Sequence, residues 1–167
     1  MKTANLIFLD FDGVITSSES GYKLSKPLIE RLGRLLKETN AYIVISSSWR
    51  GKDLQSTIVQ STIANITDRF NPRIGNSPFP FTDRIIGVTP RCDAWMRGQE
   101  IEEWFRTHAK TATFKEVGYV ILDDEDDFFV HQKEHLVKTF ESVGLQDADI
   151  EKAKEVLKNK VKLYDTF

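Results

Sequence analysis

Five short apolar segments, none of which alternates cleanly between apolar and polar residues, constrain the fold of this chain most strongly. They span residues 5–9, 41–45, 84–88, 119–122 and, more weakly, 135–140. A strand reads as a continuous apolar run when helices cover both faces of a parallel sheet. The segments therefore predict an α/β domain with a mostly parallel, five-stranded sheet.

Patterns typical of helices lie between these segments. Pro27, a residue that suits the first turn of a helix, precedes leucines that share one helix face. Further helices are predicted over about 53–65, from about Gly98 onward, and over about 147–160. Because strand and helix alternate, we expect a three-layer, Rossmann-like architecture with right-handed crossovers.

The length of 167 residues favours a single domain over residues 1–167. Residues 67–82 are rich in Pro, Gly and Asn and are too irregular for a helix. They are also long for an ordinary connection. We therefore expect an irregular loop insertion at about 66–84.

Charge, hydropathy and cysteine content exclude several classes of protein. The 23 Lys and Arg nearly balance 25 Asp and Glu, so no global charge draws the chain to nucleic acid or to an anionic membrane. The longest apolar run, residues 41–45, is far too short to span a membrane. The apolar start is too short for a signal peptide, and the single Cys92 fits a reducing compartment, so a cytoplasmic protein is expected.

Polar residues follow the predicted strands directly. Ligands of parallel α/β sheets bind beyond the carboxyl ends of the strands. If the first and fourth strands are neighbours, four carboxylates converge: Asp10, Asp12, Asp123 and Asp124. Two such charges about 4 Å apart repel by roughly 4 kcal/mol at an effective dielectric of about 20. A divalent cation would relieve this repulsion, and the all-oxygen ligands favour Mg²⁺ over zinc.

The same residues suggest phosphoryl chemistry. Gly13 allows the chain to turn after Asp10, so that both Asp10 and Asp12 can act. One carboxylate could attack phosphorus while the other donates a proton to the leaving oxygen. Ser46 offers a hydroxyl to a phosphate oxygen, and Arg50 or Arg97 could offset its charge.

The joint pattern closely resembles the haloacid dehalogenase (HAD) superfamily of phosphohydrolases. IFLDFDGVI is similar to its first motif, YIVISS to its second and YVILDD to its fourth. Together with VISSSWR, RGQEIEEWF and YVILDDEDDF, these segments look like the compact phosphatases of Swiss Army knife RNA-repair proteins. They are also similar to the phosphatase domain of polynucleotide kinase-phosphatases.

The resemblance implies a role for each matching residue. Asp10 would be the nucleophile that forms an aspartyl-phosphate, and Asp12 the general acid that later activates water. Ser46 would hold the phosphoryl group. Mg²⁺ would bind Asp10, the backbone carbonyl of Asp12, and Asp124 or Asp123. Predicted substrate contacts come from Gly13, Ser47, Trp49 and Arg50.

Two motifs depart from the family pattern or are ambiguous. The third motif usually carries Lys, whereas PRCDAWMRGQEI places Arg97 there, with Arg91 as a weaker option. Arginine always stays charged and can grip phosphate through two hydrogen bonds, so the electrostatic role survives. The register of the fourth motif is open, because Asp123, Asp124 and Asp127 all suit it.

The missing cap favours a large substrate. Superfamily members that hydrolyse metabolites commonly carry a cap domain, but only 28 residues, 13–40, separate the first motif from the second strand. An uncovered site suits a polymer end, so we expect a phosphorylated DNA or RNA terminus, either a 3′-phosphate or a 2′,3′-cyclic phosphate. Cations and rings of the irregular loop and its surroundings could bind phosphates and bases, or the rings could instead anchor the loop to the core. These residues are Trp49, Arg69, Phe70, Arg73, Phe79, Phe81 and Arg84.

Other functions remain open from sequence. A nucleotide or small-metabolite phosphatase is one alternative. A phosphoacceptor signalling domain is another, although Thr89 and Pro90 after the third strand supply no acceptor. A catalytically inactive HAD-like interaction module is the third, against which the intact Asp10 and Asp12 speak. Protein partners and oligomeric state are not predicted.

Overall fold

The computed structural model describes residues 3–48, 79–92, 96–109 and 114–163. The strands are β1 (Thr3–Leu9), β2 (Tyr42–Ile45), β3 (Ile85–Val88), β4 (Glu116–Asp123), β5 (Leu136–Lys138) and β6 (Lys160–Lys162). The helices are α1 (Lys26–Thr39), α2 (Arg97–Ala109) and α3 (Asp147–Val156), with 3₁₀ turns at Thr82–Arg84 and Val130–His135. The predicted helix over 53–65 and most of the predicted loop insertion lie outside the described residues.

The sheet has the order β3-β2-β1-β4-β5, and all pairs along this path are parallel. β1 lies at the centre, where Leu9 pairs with Ile45 on one side and Leu122 on the other. The carboxyl ends of β1, β2 and β4 are therefore level at one edge. This architecture confirms the predicted α/β, Rossmann-like fold.

A sixth short strand, which the sequence pattern did not predict, pairs with the amino-terminal part of β4. β6 pairs antiparallel with β4, and Lys160 lies opposite Gly118. The helical pattern predicts a helix to about residue 160, whereas α3 ends at Val156. The polar-apolar-polar alternation of β6 has the period of a strand, but three residues are too few for this signal to stand out.

Both faces of the sheet are buried, which explains the unbroken apolar runs. Along β1, Ile7 and Leu9 face the core shared with α1 and α3, while Leu6 and Phe8 face the core shared with α2. Phe8 makes edge-to-face contacts with the rings of Trp104, Phe105 and Tyr119 at centroid distances of 5.4, 5.1 and 6.0 Å. Helices on both sides hold the central strands in place, and with them the residues that follow each strand.

The described end of the predicted loop insertion packs on this core. Phe79 is buried and makes an edge-to-face contact with Phe81, which packs against the same cluster. Of the two alternatives for Phe79, stacking on a nucleic-acid base is therefore wrong, and anchoring of the loop to the core is confirmed. Arg84 donates from Nη1 to Oδ1 of Asn40 at 2.7 Å. Both residues precede parallel strands, so Arg84 lies at the sheet edge opposite to the residues that follow β1.

Gly118 permits the close approach of α3 to β4. A Cβ atom at this position would lie 2.2 Å from the backbone carbonyl oxygen of Leu157. Gly118→Ala should force the end of α3 away from the sheet and lower the free energy of unfolding by about 1–3 kcal/mol, as overpacking does. Urea unfolding measures the change.

Lys158→Ala is the control for Gly118→Ala, because Lys158 is exposed and pairs with the exposed Glu155 on the same turn. It should change the free energy of unfolding by less than about 0.5 kcal/mol. Equal unfolding midpoints for Gly118→Ala and the unmodified protein would contradict the close approach.

Candidate active site

The carboxyl ends of β1 and β2 deliver Asp10 and Ser46 to the same edge. The N–H of Asp10 donates to the carbonyl of Leu122 at 3.0 Å, and that of Ser46 to Leu9 at 2.9 Å. The hydrogen-bond ladder thus continues one residue beyond each strand. Because β1 pairs with β4 over its whole length, Asp10 lies beside the last residue of β4, Asp123.

Three carboxylates come together at this point. Asp10, Asp123 and Asp124 each offer one oxygen atom, and these atoms all lie within 4.8 Å of one another. Asp10 and Asp123 are buried. Oδ1 of Asp123 accepts the N–H of Glu125 at 2.9 Å, but its Oδ2 is buried with no hydrogen-bond partner in the described part of the chain. This all-oxygen group and its unpaired atom fit a hard divalent cation.

Burial and mutual repulsion disfavour the charged forms of these carboxyls. Burial, supplemented by the charge of Asp10, raises the pKa of Asp123 to about 8 and that of Asp124 to about 6. Burial also raises the pKa of Asp10, against the opposing effects of Arg97 and of a hydrogen bond from Ser47. A cation at this point would therefore replace protons that the folded chain otherwise retains.

Gly13 provides the space for Asp124. Its φ of +71° is a left-handed value, and a Cβ atom would lie only 2.4 Å from Cγ of Asp124. The carbonyl of Gly13 accepts the hydroxyl of Thr139 at 2.6 Å. The observed contacts of Gly13 are thus with the acidic group and its support, and its predicted contact with substrate stays a prediction.

Asp12 lies outside the group of three carboxylates. Its Oδ1 accepts the hydroxyl of Thr16 at 2.9 Å, and the side chain is half-buried. Thr16 also donates to the carbonyl of Phe11, so it holds the turn after β1. Asp12 is therefore close to Asp10 in sequence, but its side chain hydrogen-bonds to Thr16 instead of joining the three carboxylates. The role of its backbone carbonyl as a metal ligand stays a prediction.

Arg97, the first residue of α2, contacts the predicted nucleophile. Its Nη2 lies 3.3 Å from Oδ2 of Asp10, and its Nη1 donates to the carbonyl of Ser46. Its side chain is only 16% exposed. Arg91 instead donates from Nη2 to the carbonyl of Ser48 at 3.0 Å. Of the two candidate arginines that the structure describes, Arg91 and Arg97, Arg97 is therefore the one that offsets the charge of Asp10.

The serines after β2 lie beside Asp10. Ser47 is buried and hydrogen-bonds to Asp10. Ser46 is also buried, and among the described residues its hydroxyl has no hydrogen-bond partner. An unpaired buried hydroxyl is costly unless a ligand completes it. The predicted substrate contacts of Trp49 and Arg50 lie outside the described residues.

Asp127 and Thr139, which follow β4 and β5, hold residues of the site in place by hydrogen bonds. Oδ2 of Asp127 accepts the N–H of Arg97 at 3.1 Å, so Asp127 caps α2 instead of joining the three carboxylates. Thr139 is buried, and its N–H donates to the carbonyl of Asp123 at 2.9 Å. Thr139 was not expected as a site residue, although it directly follows a strand, which is the signal that identified Asp10.

In the absence of divalent cations, the stability of the protein should fall as the pH rises from about 5 to about 8. An unfolded Asp has a pKa near 3.9. With the raised pKa values of Asp123 and Asp124, the folded state holds protons that the unfolded state has released, so a rising pH favours unfolding. One pKa unit corresponds to about 1.4 kcal/mol, and we expect a loss larger than that. Urea unfolding in EDTA at each pH measures it.

Asp123→Asn should flatten this pH dependence. Asp126→Asn is the matched control, because Asp126 belongs to the same acidic run but is exposed and pairs with Lys133. It should leave the slope unchanged. Addition of Mg²⁺ at pH 8 should restore stability to the unmodified protein. Stability that rises between pH 5 and 8 in EDTA would show that the carboxyls are not held protonated.

Comparison with known proteins agrees with this geometry. A family model described as the HAD domain in Swiss Army Knife RNA repair proteins matches residues 6–150, which include every described residue of the acidic site. No match was found among curated proteins or among solved structures. Membership of the HAD family implies a phosphatase-type hydrolase, and its members generally use a divalent metal. The chain belongs to the family of HAD domains found in Swiss Army Knife RNA repair proteins.

Proposed function

We propose that the protein is a magnesium-dependent phosphomonoesterase that works through an aspartyl-phosphate at Asp10 on nucleic-acid ends carrying a 3′-phosphate or 2′,3′-cyclic phosphate. One observation carries the proposal. Asp10 is buried between a cation, Arg97, and two further carboxylates, Asp123 and Asp124. This arrangement suits a nucleophile that attacks a phosphoryl group. Arg97 would neutralise the charge of that group on one side, and a metal ion held by the carboxylates would do so on the other.

Asp10 would attack phosphorus with one carboxylate oxygen. The new bond joins that oxygen to phosphorus, and the bond from phosphorus to the leaving oxygen of the nucleic acid breaks. Asp12 gives the leaving oxygen its proton. Water then attacks the phosphorus of the aspartyl-phosphate, Asp12 takes a proton from that water, and for a 3′-phosphate substrate inorganic phosphate and free Asp10 result. On a 2′,3′-cyclic phosphate, which is a diester, the same two steps would break one ring P–O bond and leave a 2′- or 3′-monophosphate, and a second cycle would release inorganic phosphate.

Neighbouring groups would hold Asp10 and the phosphoryl oxygens in place. Oδ1 of Asp10 accepts the N–H of Phe11 at 2.7 Å, while Oδ2 faces Arg97. These contacts fix the plane of the carboxylate. The hydroxyl of Ser46, which has no hydrogen-bond partner in the described part of the chain, could donate to a phosphoryl oxygen. Its burial excludes competing water and strengthens that hydrogen bond.

The carboxylates of Asp10, Asp123 and Asp124 would hold Mg²⁺, together with the backbone carbonyl of Asp12. Their oxygen donors fit this ion, as does Oδ2 of Asp123, which has no hydrogen-bond partner within the ranges that the structure describes. When bound, Mg²⁺ supplies positive charge that stabilises the phosphoryl group and relieves the repulsion among the carboxylates.

The nucleic-acid end is favoured over a small metabolite by two features. The matched family is named for domains of RNA repair proteins. In addition, the described connection from β1 to α1 covers only residues 10–25, which is too short for a large cap. A nucleotide or small-metabolite phosphatase is the alternative within the same chemistry. An inactive module would have no use for the complete set of charged groups around Asp10.

A substrate panel tests the proposal. Phosphate release is compared for a 3′-phosphorylated oligonucleotide, the same oligonucleotide with a 5′-phosphate or a 2′,3′-cyclic phosphate, and a 3′-mononucleotide, each with Mg²⁺ and with EDTA. We expect the highest kcat/KM on the 3′-phosphate or the cyclic phosphate, and no phosphate release from any substrate in EDTA. Asp10→Asn, which keeps the size of the side chain, should be inactive but folded. A preference for mononucleotides would overturn the polymer substrate, and full activity in EDTA or in Asp10→Asn would overturn the mechanism.

Arg97→Ala should lower kcat by about 10²- to 10³-fold, because one donor to the developing phosphoryl charge is removed. Arg91→Ala is the matched control, since Arg91 hydrogen-bonds to Ser48 instead of Asp10. Steady-state rates on the best substrate of the panel measure both variants. A larger loss in Arg91→Ala than in Arg97→Ala would reassign the cation.

A further inference from the structure

The connection from β1 to α1 presents an exposed aromatic ring near the acidic site. Tyr22 is 44% exposed, and its hydroxyl donates to the carboxylate of Glu141. This hydrogen bond raises the pKa of Tyr22, with smaller contributions from the charges of Asp12 and Asp124. The N–H of Tyr22 donates to the carbonyl of Ser17, which directly follows the Asp12 partner Thr16, so the ring lies on the segment that adjoins the acidic site.

The backbone holds this ring in place at some cost. Tyr22 has a φ of +55°, a left-handed value that bulky residues rarely adopt. Its N–H donates to the carbonyl of Ser17 at 2.9 Å. The N–H of Ser18 donates to the carbonyl of Glu141 at 3.1 Å, which ties the connection to the segment after β5. Such a strained conformation, fixed by surrounding contacts, is typical of functional positions.

A second exposed ring follows β5. Phe140 is 75% exposed. The preceding residue, Thr139, hydrogen-bonds to the carbonyls of both Gly13 and Asp123, so Phe140 directly follows a residue that contacts the acidic site. The carbonyl of Phe140 accepts the N–H of Gly144 at 2.8 Å, which fixes the turn that presents this ring. Tyr22 lies on the segment after β1 and Phe140 on the segment after β5, and the hydrogen bonds of Glu141 join these two segments.

We propose that Tyr22 stacks on the nucleobase of the terminal nucleotide whose phosphate lies at Asp10, and that Phe140 extends this apolar surface. The inference rests on the proposed function and names the part of the substrate that the site recognises. Stacking on a ring suits every base, because each base has a π face. The carboxylate of Glu141 at the Tyr22 hydroxyl places negative charge beside the ring, which favours a neutral planar group over the phosphates of the chain.

The experiment removes the base and the ring separately. One substrate is a 3′-phosphorylated oligonucleotide, and the other is the same oligonucleotide with an abasic tetrahydrofuran residue at the phosphorylated end. For Tyr22→Ala, kcat/KM on the complete substrate should fall by roughly tenfold, as when one stacking ring is removed. On the abasic substrate, Tyr22→Ala should match the unmodified protein.

Two control variants separate stacking from structural damage. Tyr22→Phe keeps the ring but loses the hydrogen bond to Glu141, so it should retain the preference for the complete substrate. Val130→Ala removes another exposed apolar side chain, which is 87% exposed, and should act as the unmodified protein on both substrates.

Each outcome decides between the two proposals. A lower kcat/KM of Tyr22→Ala on the complete substrate, with no change on the abasic substrate, supports stacking. Equal losses on the two substrates, or no loss on either, overturn stacking and leave the phosphatase function intact. If the unmodified protein releases phosphate from neither oligonucleotide, the proposed function fails and the stacking proposal fails with it.

Discussion

The repulsion between carboxylates at the centre of the sheet is the constraint on which the rest of the site depends. β1 and β4 are parallel neighbours, so Asp10 and Asp123 meet at their carboxyl ends with Asp124 close by. Two unit charges at such distances repel by several kcal/mol in a partly buried environment. Arg97 offsets part of this charge, while burial and, after it, the charge of Asp10 raise the pKa of Asp123 and of Asp124. The fold therefore contains a site that gains from binding a cation.

The surrounding polar contacts keep this repulsion from opening the sheet. Thr139 joins the segment after β5 to the carbonyls of Gly13 and Asp123. Asp127 caps α2 and so fixes Arg97, whose guanidinium reaches both Asp10 and the carbonyl of Ser46. The connections after β1, β2, β4 and β5 thus meet at one edge of the sheet. A phosphoryl group at this edge would contact groups that are already positioned, which lowers the cost of ordering them during the reaction.

Much of the fold could be predicted, because burial on both faces leaves a strong mark on a strand. Phe8 and Leu9 point into different cores, and both must be apolar. The short β6 could not be predicted, since its pairing depends on the missing Cβ of Gly118, which lets Leu157 approach β4. Composition left two interpretations of the loop rings open, base stacking and anchoring of the loop to the core. Phe79 stands among residues typical of a binding loop, yet it is buried in the core.

The sequence by itself determined the class of chemistry. Asp10, Ser46 and Asp123 directly follow apolar runs, and parallel strands necessarily bring the residues that follow them to one edge. Only the tertiary structure decided which basic residue faces Asp10, because Arg91 and Arg97 are separated by six positions and their neighbours depend on where α2 begins. The same holds for Tyr22, whose exposure and orientation depend on Glu141, a residue 119 positions away. The local sequence pattern indicates which residues are buried and whether a segment is a strand or a helix. Contacts between side chains that are distant in the chain form only when the strands pair and the chain folds.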